Sequence, residues 1–190
     1  MAKADANLMR PGWVIEYNGR PHTVMGISIV KPGKGGAFIQ ADLRDLDSGS
    51  KTNHRWRTVD TVEKLLAEDK DFSFLYSEGD SAVFMDSKTY DQLNVANDVI
   101  GEERAKLLAD GMNVVISFVE GRPVGVRLPK NTIVVLTDTE AVVKGQTATS
   151  SFKPATTEQG IRVMVPQFIE AGEAVVISTD DMSYIERAKK

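Results

Sequence analysis

WVIEYNGRPHTVMGISIVKPGKGGAFIQADLR, residues 13–44, decides the fold class. Trp13-Val14-Ile15-Glu16-Tyr17 is a short run that stops at Asn18-Gly19. That pair is favoured in two-residue hairpin turns because both residues tolerate positive φ. His22 to Val30 reads as the return strand. After Lys31-Pro32-Gly33-Lys34-Gly35-Gly36, the run Ala37 to Arg44 alternates, placing Ala37, Ile39, Ala41 and Leu43 on one face. Asp47-Ser48-Gly49-Ser50 is a turn, and a polar strand follows near His54-Arg55-Trp56-Arg57. The stretch predicts a small barrel-like β-domain that ends near Lys64.

The same punctuation repeats further along. Phe72–Tyr76 and Ala82–Met85 are strands around the turn Ser77-Glu78-Gly79-Asp80. Val114–Val119 and Val124–Leu128 flank Glu120-Gly121. Ile133–Leu136, Ile161–Val165 and Glu173–Thr179 complete a third set. One helix is predicted, Glu102–Ala109, closed by Asp110-Gly111, where glycine takes the left-handed C-terminal position. Short strands at this spacing indicate an all-β chain of small β-barrels, with boundaries placed at 1–64, 65–128 and 129–190.

Composition excludes several chemistries. The chain has 190 residues, no cysteine and two histidines, so disulfides, thiolate metal sites and a cysteine nucleophile are ruled out. No base–nucleophile pair or metal-ligand constellation stands out, so no catalytic residue, metal or cofactor is expected. The start MAKADANLMR lacks a signal-peptide core and no run reaches the length of a membrane span. A cytoplasmic monomer without membrane contact is the expectation. The formal charge is −4, but residues 1–64 balance to +3, residues 65–128 to −6 and residues 129–190 to −1. Only the first third suits a polyanion.

The loop 31–36 holds a proline and three glycines in six residues, which pack no core and make an exposed tip. Lys34 stands in its middle. Two readings stay open from the loop alone: a solvated surface lysine, or a lysine presented to an RNA cleft or to a modifying enzyme. A nucleotide-binding P-loop is excluded, because Ser28 stands where its first glycine belongs and Gly35 where its hydroxyl belongs. The dinucleotide fingerprint fails at Phe38. His54, Arg55, Trp56 and Arg57 are read either as an RNA-facing strand or as a core tryptophan between solvated arginines. His22 is expected at the surface. Asp180-Asp181 and Glu102-Glu103 are expected to be solvated charge.

The Lys31-Pro32-Gly33-Lys34-Gly35 loop resembles that of bacterial elongation factor P. So does a spaced C-terminal pattern: Lys153, Ala155, Gly160, Val163, Val165, Pro166, Ile169 and Gly172, followed by Tyr184 and Arg187. The resemblance implies an SH3-like, KOW-type N-terminal barrel and two OB-fold barrels in an L-shaped, tRNA-like arrangement. It implies a non-enzymatic translation factor that binds the ribosome between the peptidyl and exit sites and relieves stalling at consecutive prolines. Lys34 would reach the acceptor end of the peptidyl-site tRNA, unmodified or extended by a lysine-modifying enzyme. Lys31, Pro32, Gly33, Gly35 and Gly36 would support it. Tyr184 and Arg187 would touch small-subunit RNA, and Gly145-Gln146-Thr147 would form the codon-proximal loop. The chain departs from the family pattern at Gln146, where an aspartate is usual, and at Met182-Ser183, where Gly-Glu is usual. An elongation factor P-like paralogue and a general OB-fold RNA-binding protein remain the rival readings.

Overall fold

A computed structural model describes residues 1–140 and 151–189. Its described elements are strands, two four-residue helices and one 3-10 turn. A six-stranded sheet has the order β1-β6-β2-β3-β4-β5. These are Ala2–Asp5 (β1), Val14–Tyr17 (β2), Arg20–Val30 (β3), Phe38–Asp45 (β4), Lys51–Arg57 (β5) and Thr61–Leu65 (β6). A second sheet runs β11-β10-β7-β8-β9. It comprises Glu68–Glu78 (β7), Ser81–Asp86 (β8), Gln92–Ala96 (β9), Asn113–Val119 (β10) and Arg122–Arg127 (β11). The third, β14-β13-β12-β15-β16, holds Asn131–Thr139 (β12), Phe152–Thr157 (β13), Arg162–Pro166 (β14), Ala174–Ser178 (β15) and Tyr184–Arg187 (β16). The chain divides into two compact units, Met1–Lys70 with Ile116–Val126, and Asp71–Val115 with Arg127–Lys190.

The hairpin turns follow from their sequences. Asn18 and Gly19 have φ of 52° and 74°, and Glu120 and Gly121 have 52° and 78°. Two successive positive φ values match the right-handed twist of the flanking strands. The predicted helix Glu102–Ala109 is corrected. Its helical part ends at Ala105, a second short helix, Asn97–Ile100, precedes it, and Gly111 has the expected positive φ of 75°. Gly101, at φ 100°, separates the two helices, and burial of Ile100 and Leu107 sets their path over any helical periodicity.

In the first unit, Ala6, Met9, Ile15, Val24, Ile39, Ala41, Leu43 and Val62 form the core, with Trp13, Tyr17, Ile27 and Trp56 packed on it. The alternation read from Ile39, Ala41 and Leu43 is the alternation of this buried face. A second cluster in the same unit joins Val14, Leu65 and Val119, with Leu46 and Val124 against it. The tip of the β10–β11 hairpin therefore covers a face of the N-terminal sheet that its own strands leave open. Arg122 and Asp47 form an ion pair there.

His22 is a correction: it is buried, not at the surface. Its Nδ1 lies 3.0 Å from the Arg20 carbonyl oxygen, which only accepts, so Nδ1 carries the proton. Nε2 then faces the buried Asp45 carboxylate at 4.0 Å. Asp45 Oδ1 accepts the backbone N–H groups of Asp47 and Ser48 at 2.7 and 3.1 Å, tying down the β4–β5 turn. The Ser48 N–H is the main cause that holds the Asp45 carboxyl below its ordinary value of 3.8, with Arg20 and His22 adding to it. A depressed carboxylate stabilises the fold above its unfolded-state pKa, and that contribution fades as pH falls through the lower folded value. Acid unfolding of Asp45→Asn is therefore expected to show a shallower pH dependence below about pH 4 than the parent. Identical slopes in urea titrations across that range would contradict the assignment.

Candidate functional site

Strands β3 and β4 pair from His22↔Asp45 up to Val30↔Phe38, with one irregularity between Val24 and Gly26. Beyond Val30 the ladder stops, and residues 31–37 connect the two strands. Every residue from Lys31 to Gly36 is exposed. Proline lacks the N–H and glycine lacks the side chain that would extend the ladder or pack on it. Ala37 fixes the far end, its carbonyl accepting the Thr58 N–H at 3.3 Å. Gly35 has φ of 114°, the only positive φ among the three glycines of this loop. A Cβ built at Gly33, Gly35 or Gly36 meets nothing within 4 Å. Lys31 and Lys34 make no ion pair or hydrogen bond among the described residues, so both ammonium groups stand in solvent.

The foot of this loop is cationic on one face. Phe38 stands opposite Arg57 and Gln40 opposite Arg55 across β4 and β5. The Arg55 guanidinium donates to Gln40 Oε1 at 3.2 Å and lies 5.9 Å from the centre of the Phe38 ring. The Arg57 side chain makes no ion pair among the described residues; its backbone N–H donates to Asp60 at 2.7 Å. His54 and Trp56 point the other way. Tyr17 Oη lies 3.2 Å from His54 Nδ1, and the His54 and Trp56 rings meet edge to face at 4.4 Å. The strand 54–57 thus divides as strand geometry requires, rings toward the core and arginines outward. Phe38 and Gln40 were legible as the outward set of an alternating strand. Their pairing with Arg57 and Arg55 needed the register.

The C-terminal candidates are elsewhere. Tyr184 pairs with Ile177 on β15 and is half-buried. Arg187 is engaged within the chain: Nε lies 2.9 Å from Glu173, Nη2 donates to the Phe168 carbonyl at 3.3 Å, and the guanidinium lies 5.1 Å from the Phe168 ring. Met182 carries φ of 58° in the preceding turn, a left-handed conformation in a non-glycine residue. Asp181 caps that turn by accepting Ser183 Oγ–H at 2.6 Å and its N–H at 3.1 Å, which lowers its pKa. Gly145, Gln146 and Thr147 lie outside the described residues. Among the described residues no group of three or more His, Cys, Asp and Glu is placed to hold a metal ion. None of the described helices is long and apolar enough to cross a membrane.

Three family profiles match the chain in succession. "Elongation factor P (EF-P) KOW-like domain" matches residues 5–62, "Elongation factor P (EF-P) OB domain" matches 67–126, and "Elongation factor P, C-terminal" matches 133–187. The chain belongs to the elongation factor P family. Elongation factor P of Gluconobacter oxydans is 52% identical over 187 residues, covering 98% of this chain and 99% of that one. That of Rhodospirillum rubrum is 50% identical over 187 residues, covering 98% of this chain and 100% of its own. That of Brucella canis is 47% identical over 186 residues, covering 98% and 100%. Among solved structures, "Eukaryotic translation initiation factor 5A from Methanococcus jannaschii" aligns with TM-score 0.48 at 22% identity, over 67% of this chain and 94% of that one. Membership in the elongation factor P family makes the chain a translation elongation factor and not an enzyme. The all-β architecture, with three sheets falling in the KOW-like, OB and C-terminal matches, is the family's.

Proposed function

We propose that this elongation factor binds the ribosome between the peptidyl and exit sites and speeds peptide bond formation at consecutive prolines by holding the peptidyl-tRNA in place. One observation carries the reading: Lys34 stands at the centre of an exposed glycine loop with no hydrogen bond or ion pair among the described residues. A lysine so placed is available to phosphate and ribose oxygens of an RNA end, to which an ammonium offers three donors. Arg55, Arg57 and Lys31 near the loop foot give the same end of the sheet a positive field, in a chain whose total is −4.

The factor needs no chemistry of its own. Proline's ring fixes φ and limits how the attacking nitrogen and the ester carbonyl approach. Ordering the acceptor end lowers the entropic part of the barrier without any proton or electron transfer by the factor. In this reading the segments 1–64, 65–128 and 129–190 are functional modules. The first meets the acceptor end, Tyr184 and Arg187 meet small-subunit RNA, and Gly145, Gln146 and Thr147 lie near the codon. Arg187 would have to exchange Glu173 for a phosphate to do so. Lys34 is also the natural target of a lysine-modifying enzyme, which an intact mass of protein purified from its own host would reveal. The factor acts as a cytoplasmic monomer.

The test is a reconstituted translation system lacking this factor, programmed with a message for three consecutive prolines. Adding the protein should raise full-length product several-fold, and a matched message without prolines should not respond. At near-physiological salt the protein should bind stalled ribosomes far more tightly than a free single-stranded oligonucleotide. Equal affinity for the two would favour the general RNA-binding alternative and overturn the proposal.

A further inference from the structure

No residue from Lys31 to Gly36 takes part in a hydrogen bond or ion pair among the described residues, and each of the six is exposed. Its ends are fixed, by the Val30↔Phe38 ladder pair on one side and the Thr58–Ala37 hydrogen bond on the other. Between fixed ends, with no hydrogen bond or ion pair among the described residues, the direction in which Lys34 points is set by the backbone dihedrals of the loop itself. The three glycines are not equivalent in this respect. Gly33 and Gly36 show no positive φ, whereas Gly35, the residue directly after Lys34, sits at 114°.

Space does not explain a glycine at any of the three, since an added Cβ meets nothing within 4 Å at each. At 33 and 36 an alanine is compatible with both the space and the conformation. At 35 it has the space but not the conformation, because an L side chain at large positive φ collides with its own backbone. The chain would relieve that collision by rotating Gly35 to negative φ, and the peptide carrying Lys34 would turn with it.

We propose that Gly35 is a positioning residue whose positive φ sets the direction in which the Lys34 ammonium is presented. The proposal rests on the reading that Lys34 acts at an RNA end in the ribosome, and it separates the loop's glycines into one that directs and two that only leave the path clear.

The decisive comparison is between the two mirror forms of alanine at position 35. A D residue finds a positive φ as comfortable as an L residue finds a negative one. A synthetic segment of residues 1–36 can be ligated to recombinant 37–190 through a temporary cysteine at position 37. Desulfurisation then restores Ala37, and touches nothing else because the chain has no cysteine. Lys34 is installed with whatever group the mass of host-purified protein shows, so recognition by a modifying enzyme does not enter.

In the three-proline assay, Gly35→Ala is expected to lose about tenfold or more in rate at saturating factor. Replacement of Gly35 by D-alanine should stay within about twofold of the parent, as should Gly33→Ala and Gly36→Ala. Thermal midpoints of all four should agree within about 2 °C, as for exposed substitutions. Full activity of Gly35→Ala would overturn the proposal. Equal failure of the L and D forms would also overturn it, since bulk and not conformation would then be at fault. Equal failure of Gly33→Ala would show that Gly35 is not singled out. Lys34→Ala, run beside them, separates the two levels: if it stays active the ribosomal reading of Lys34 fails, and if it is inactive while Gly35→Ala is active only the present proposal does.

Discussion

Lys34→Ala is expected to reduce synthesis of a three-proline reporter to near the factor-free rate while leaving a reporter without prolines unchanged. The physical basis is the isolation of this side chain. Lys34 lies in an exposed loop, and among the described residues it has no hydrogen bond or ion pair to lose. Its removal should therefore shift folding stability by no more than about 0.5 kcal/mol in either direction. Pro32, Gly33, Gly35 and Gly36 offer no side-chain donor, so nothing else at the tip can take over. Lys31 stands at the loop's first position, next to the end of β3. A full loss of rescue at unchanged thermal stability would place the effect on the partner's side of the contact. Full rescue by Lys34→Ala would remove this residue from the mechanism outright. Lys34→Arg keeps the charge but not the primary amine, so it is expected to fail where a covalent addition to lysine is required. Full activity of Lys34→Arg would show that charge alone suffices.

Phe84→Ala is expected to have the opposite profile, a large loss of stability with the loop chemistry intact. Phe84 on β8 is 0% exposed, stands opposite Phe74 on β7, and meets its ring edge to face at 5.8 Å. Truncating a fully buried phenylalanine costs about 3–5 kcal/mol through lost transfer energy and the cavity left behind. Against a total of about 5–15 kcal/mol for a folded protein, that is a sizeable fraction. Urea unfolding should show the midpoint falling sharply with an unchanged slope, and Phe84→Leu should recover much of the loss by refilling the space. Phe84 lies in the unit that contains Asp71–Val115. Below its lowered melting temperature the variant should therefore still support the three-proline reporter. A midpoint shift corresponding to less than about 1 kcal/mol would mean that the site collapses around the smaller side chain.

Local rules made much of this fold readable. Asn18-Gly19 announces its hairpin because few other residues accept two positive φ values in succession, and Gly121 marks the second hairpin by the same tolerance, although Glu120 before it takes a positive φ without that preference. Ile39, Ala41 and Leu43 announce a buried face because side chains alternate across a strand. The loop 31–36 announces itself because proline and glycine can neither pair nor pack, and no later contact overrides that. Strands such as Ala2–Asp5 and Phe152–Thr157 went unread as strands. Their alternation is weak, and pairing holds them extended, with Thr61–Leu65 for the first and with Arg162–Pro166 and Asn131–Thr139 for the second.

By itself the sequence determined the all-β class, the position of the exposed lysine and the absence of cysteine chemistry, since each follows from composition or from neighbours a few residues apart. Tertiary structure decided the rest. His22 is inside because Asp45, twenty-three residues away, is buried beside it. Trp56 faces the core and Arg57 the solvent because the register with Ile39 and Phe38 says so. Arg187 is held by Glu173 and Phe168. The N-terminal sheet is completed by residues 116–126, because Val119 and Val124 supply the apolar cover that Val14 and Leu65 lack locally. Burial, register and ion pairing join residues far apart in the chain, and no local pattern encodes which of them will meet.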